Sequence, residues 1–132
     1  MSAYYDLYQS PPDENGEASL LHARILPKGT IPADKFRELV HKATGFSPAI
    51  LDGTLQAITD ELYSWLADGW IVEVGELGFF SLSLKCDKTV TDKKDIRSPS
   101  VHFRNVNLRI GSKFRKRFQT MGLESVSLRL PL

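Results

Sequence analysis

The residues with the most chemistry to offer are cations. Lys85, Lys88, Lys93, Lys94, Arg97 and Arg104, then Arg109, Lys113, Arg115, Lys116 and Arg117, put eleven basic side chains into residues 85–117 against Asp87, Asp92 and Asp95, net +8. Residues 1–84 carry Arg24, Lys28, Lys35, Arg37 and Lys42 against twelve acids, net −7, while Glu124 and Arg129 balance over the remainder. A formal charge of +1 for 132 residues therefore hides a strong segregation. A local positive field attracts a polyanion even when the whole molecule is near neutral. The bland reading of the same stretch is a solvated basic loop followed by a solvated basic helix face.

Other chemistries find little support. Cys86 is the lone cysteine, so there is no internal disulfide framework, which fits a reducing, cytoplasmic compartment. His22, His41 and His102 are scattered and match no metal-ligand spacing. There is no Ser/His/Asp or Cys/His constellation and no glycine-rich phosphate loop. The expectation is a protein that is not an enzyme, with no cofactor, no metal and no small-molecule substrate. A composition of 42% apolar and 25% charged residues is that of a soluble globular domain. No apolar run reaches the roughly 18 residues of a membrane span, and the first residues, Met1-Ser-Ala-Tyr-Tyr-Asp, do not read as a signal peptide.

The elements that must position the cations follow from periodicity. Tyr4, Tyr5, Leu7 and Tyr8 suit a short strand, residues 10–17 a Pro- and Asn-Gly-containing loop, and residues 18–26 a second strand. Together the strands form an expected N-terminal hairpin. A helix is predicted from Pro32 or Ala33, with Phe36, Leu39, Val40 and Ala43 on one stripe and Thr44-Gly45 at its end. Ser47 and Pro48 are the N-cap and first residue of a second helix. Its stripe is Leu51, Leu55, Ile58, Leu62, Trp65 and Leu66, it stops at Asp68-Gly69, and Trp65 and Trp70 read as core.

From Trp70 the period switches to two. Ile71, Val72 and Val74 lead into a tight turn over residues 75–78, after which Phe80, Leu82 and Leu84 share one face and Ser81, Ser83 and Lys85 the other. Residues 85–100 have no apolar pattern and read as a basic β-arm. Val101 and Phe103 resume an alternation that Val106, Leu108 and Ile110 continue on the other parity, which places a bulge near Arg104–Asn105. A short helix carrying Phe114 and Phe118 ends at Gly122, and residues 124–130 alternate as a last strand able to pair with the N-terminal hairpin. The order is that of an α+β domain.

This order resembles the HU/IHF family of bacterial histone-like proteins, and most of all the HU-related variants with an N-terminal extension. The resemblance runs from Ile31 to Phe118. Its most specific pieces are Glu76-Leu-Gly-Phe-Phe80, similar to the family's Gly-Phe-Gly-x-Phe, and Leu108-Arg-Ile-Gly-Ser-Lys113, similar to Phe-Arg-x-Gly-Lys. Residues 1–30 would be the N-terminal strand extension, 31–120 the HU-like domain with its arm at about 85–100, and 121–132 a C-terminal strand.

The resemblance implies an intertwined homodimer with helical hairpins under a β-saddle and Leu77, Phe80 and Leu108 in a shared core. It also implies two arms that embrace double-stranded DNA in or along the minor groove. The implied role is weakly specific binding, bending and condensation of DNA as a nucleoid-associated protein. Arg97 and Pro99 resemble the family's Arg-Asn-Pro tip and would wedge between base steps; the alternative is a turn proline on the descending strand. Glu76 stands where the family has a glycine, and Ser83 where it usually has an arginine. The competing reading is an HU-like interaction dimer that has lost DNA binding.

Overall fold

The computed structural model describes residues 1–9, 20–87 and 100–126. The chain is α+β: β1 (Ser2–Gln9), β2 (Leu21–Leu26), α1 (Ala33–Thr44), α2 (Pro48–Ala67), β3 (Val72–Val74), β4 (Gly78–Cys86), β5 (Val101–Ile110), α3 (Ser112–Arg117) and β6 (Gly122–Ser125). It divides into two compact units, one of Met1–Phe36 with Phe118–Leu132, the other of Arg37–Arg117.

In the first unit the sheet order is β2-β1-β6. β1 and β2 pair antiparallel from Tyr4↔Leu26 to Gln9↔Leu21, the expected hairpin. β6 runs parallel to β1, with Ser2 opposite Gly122 and Tyr5 opposite Ser125. The last strand thus begins at Gly122, and Gly122 does not end the preceding helix: α3 stops at Arg117 and a 3-10 turn over Phe118–Thr120 follows. Residues 127–130 of the expected strand, like the loop at 10–17, lie outside the described residues. Across the β1–β2 pair, Arg24 Nε donates to Asp6 Oδ1 at 2.7 Å and Nη2 to Oδ2 at 3.1 Å.

In the second unit the helix boundaries are set by local chemistry. Ser47 Oγ accepts from the Ile50 amide at 3.2 Å and Pro48 opens α2 with a φ already suited to a helix. Gly69, at φ 94°, carries the chain out of α2 while the Trp70 amide donates back to the Trp65 carbonyl at 3.1 Å. Arg37 of α1 bridges to Asp52 of α2 at 2.8 Å. The expected tight turn after β3 is a single 3-10 turn, Gly75–Leu77. The sheet order is β3-β4-β5.

The described residues form no closed core. Among the described hydrophobic residues Leu66 alone is buried, at 5% exposure. Trp65 and Trp70 pack edge to face with ring centroids 6.3 Å apart, yet they are 50% and 59% exposed and not the core residues the apolar pattern suggests. Burial depends on what covers a face, and in a single chain little covers theirs.

Candidate nucleic-acid interface

The β4–β5 hairpin is the frame on which the cations are mounted. Its ladder runs from Gly78↔Ile110 to Cys86↔Val101, and the Asp87 amide extends it by donating to the Ser100 carbonyl at 2.9 Å. The register shifts between Ser83 and Leu84: Ser83 faces Asn105 and Leu84 faces Phe103, so Arg104 is the extra residue on β5. That bulge falls where the change of apolar parity placed it. By the two-residue alternation of a strand it keeps one face apolar along the hairpin, with Phe80 against Leu108, Leu82 against Val106 and Leu84 against Phe103. An apolar groove of about 310 Å³ lies between β3 and α2, lined by Ile58, Leu62, Trp65, Val72 and Val74 among others.

The opposite face is polar. Along it lie the cross-strand pairs Phe79–Arg109, Ser81–Asn107, Ser83–Asn105 and Lys85–His102. The Arg109 guanidinium sits 4.6 Å from the Phe79 ring centroid, a cation–π contact. At the bulge, Asn105 Oδ1 accepts from the Val106 amide at 2.9 Å and Ser83 Oγ donates to the Asn105 carbonyl at 3.4 Å. Beyond it, His102 Nε2 and Asp87 Oδ1 meet at 2.7 Å.

At the near end of the ladder two glycines let backbones touch. Gly78 has φ 129°, and a Cβ there would fall 2.1 Å from the Arg109 carbonyl oxygen. A Cβ on Gly111 would fall 2.7 Å from the Glu76 carbonyl oxygen, and the Gly111 amide donates to Leu77 at 3.2 Å. These approaches set the start of α3, which carries Lys113, Arg115, Lys116 and Arg117, all exposed. Arg117 Nη2 donates to Glu76 Oε2 at 2.7 Å. The second oxygen, Glu76 Oε1, is buried and takes no hydrogen bond among the described residues.

Of the residues singled out in the sequence, Lys85 and Arg104 are thus exposed near the far end of the hairpin, Arg109 near its close end and the remaining four on α3. Lys88, Lys93, Lys94, Arg97 and Pro99 lie outside the described residues, as does most of the arm at about 85–100. At this site sequence reasoning missed the Glu76–Arg117 ion pair and the Asp87–His102 contact. The second was accessible only once the register was known; the first joins residues 41 apart and has no local signal. Among the described residues no group of three His, Cys, Asp or Glu could hold a metal, and no helix is long and apolar enough to cross a membrane.

Comparison with known proteins adds two findings. The profile of HU-HIG, described as "HU domain fused to wHTH, Ig, or Glycine-rich motif", matches residues 1–125. A crystal structure from Bacteroides vulgatus of a "putative bacterial DNA binding protein" is similar in fold, with a TM-score of 0.71 at 10% identity over 95% of this chain. The chain spans 48% of that protein's length. No curated protein matches in sequence.

Proposed function

The chain belongs to the HU-HIG family, and from that premise we propose that it binds double-stranded DNA as a homodimer, through the basic hairpin arm and the α3 cations. The observation that carries the reading is where the cations stand. Every described basic residue after Lys42 is mounted on the β4–β5 hairpin or on the short helix that follows it, and all are exposed. Phosphates are met by cations and groove edges by hydroxyl and amide groups, and this hairpin presents both.

Association is supported by the missing core. Phe103 is 57% and Leu108 47% exposed on the apolar face of the hairpin, and Trp65 flanks the open groove between α2 and β3. Exposed apolar area of this kind marks an interface, and a second copy supplies the self-complementary cover. Residues 31–120 then form the HU-like body, and 1–30 with 121–132 are its added strands.

Binding at the minor groove distinguishes mainly A·T from G·C, so specificity is weak. Bending follows if Pro99, beside Arg97, wedges a base step, and repeated bending condenses DNA in the nucleoid of the cytoplasm. No catalysis or cofactor enters this role. The test is fluorescence anisotropy with random-sequence duplex at low and high salt, comparing wild type with a Lys93/Lys94/Arg97→Ala variant. Salt-sensitive binding that the variant weakens is expected. Its absence at low micromolar protein leaves the interaction dimer as the better reading.

A further inference from the structure

We infer that Glu76 is an internal competitor for DNA: its carboxylate occupies Arg117 in the place of a phosphate and so limits how strongly the base of the basic hairpin binds. The inference rests on the DNA-binding reading above.

Three observations carry it. First, the carboxylate is held in place. The Glu76 backbone is pressed against Gly111, where no Cβ would fit, and one side-chain oxygen is buried. Second, it is aimed at a DNA-type cation. Arg117 reaches it at 2.7 Å, with the Glu76 side chain 29% and the Arg117 side chain 64% exposed. The acid is the anchored member of the pair and the guanidinium the one that can turn outward. Third, the neighbours differ. Among the described residues Lys113, Arg115 and Lys116 enter no ion pair, so Arg117 is the α3 cation that is already neutralised.

Carboxylate and phosphate are recognised by the same planar fork of guanidinium donors. A phosphate approaching this corner must therefore displace Glu76 from Arg117 while also meeting its negative charge. Two consequences follow. Arg117 contributes no net phosphate neutralisation in the wild type, and removing the Glu76 charge alone releases it.

The experiment measures the slope of log binding constant against log salt for random-sequence duplex, for wild type, Glu76→Gln and Glu76→Gln/Arg117→Ala, with circular dichroism to verify folding. Glutamine keeps the side-chain shape and an acceptor for Arg117 while removing the charge. For Glu76→Gln the slope should steepen by about 0.9 per bound chain, which is about a 3.5-fold larger affinity loss between about 50 and about 200 mM salt. The double variant, which is as neutral at this corner as the wild type, should return to the wild-type slope. Equal slopes for wild type and Glu76→Gln overturn the inference while DNA binding stands. So does a double variant shallower than wild type by about 0.9 per chain, because Arg117 would then already be on DNA. No salt-sensitive binding by any of the three overturns the DNA-binding reading, and this inference with it.

Discussion

Gly78→Ala should be the most damaging single methyl in the hairpin. The residue is buried at φ 129°, a conformation that L side chains rarely adopt. The added Cβ would lie 2.1 Å from the Arg109 carbonyl oxygen, 2.7 Å from the Gly111 nitrogen and 2.9 Å from Ile110 Cα, all backbone atoms that cannot rotate away. Holding a non-glycine residue in such a region costs about 1–3 kcal/mol, and forcing a group into filled space adds about 1–3 kcal/mol. The expected loss is about 2–6 kcal/mol, from the two together. Gly53→Ala in α2 is the control: nothing lies within 4 Å of its Cβ position and its φ is unstrained. Relief of glycine's poor helix propensity should stabilise it by up to about 1 kcal/mol. Urea denaturation reads both, with each variant held at one protein concentration because the proposed association would contribute to stability. With a slope of about 1–3 kcal/mol per molar urea, a loss of about 3 kcal/mol moves the midpoint down by about 1–3 M. A Gly78→Ala midpoint equal to wild type would refute the backbone approach that sets the start of α3.

Three further outcomes are expected. Ser47→Ala removes the acceptor for the Ile50 amide and should cost about 1 kcal/mol in the same urea assay. The hydrogen bond from Arg24, reinforced by its charge, holds the Asp6 carboxyl below its ordinary value. Its contribution is therefore complete above the unfolded value of about 3.9 and lost as pH falls through the lower folded value. Acid titration of thermal stability should accordingly drop more steeply below about pH 4 in wild type than in Asp6→Asn; parallel profiles would refute the contribution. If the chain dimerises as proposed, Leu108→Asp, which places a charge on the apolar face of the hairpin, should run as monomer or unfolded chain by size-exclusion light scattering, whereas a variant as dimeric as wild type would exclude that face from the interface.

What could be read from sequence was what neighbours in sequence decide. Gly45 and Gly69 end helices because positive φ, 78° and 94°, suits glycine, and Ser47-Pro48 starts one by direct contact with its own first turn. A bulge near Arg104–Asn105 could be placed because the parity change between Phe103 and Val106 registers it directly; the register then makes Arg104 the extra residue. The N-terminal hairpin was legible from its alternation, and so was a last strand able to pair with it; what had no periodic signature is that β6 runs parallel to β1, which joins residues more than a hundred positions apart. Charge segregation made the cations of α3 legible as a group, and nothing local distinguished Arg117 from Lys116; Glu76 does so only in three dimensions. The apolar stripe through Trp65 was equally visible, but a stripe reports that a face needs cover and not whether its own chain covers it.

The most direct measurement is sedimentation of a fluorescent random-sequence duplex with the full chain at about 50 and about 200 mM salt. Binding by two arms predicts a complex carrying two chains at low salt that gives way to free duplex at the higher salt. A duplex that sediments alone at low salt and low micromolar protein, or a complex indifferent to salt, would contradict it.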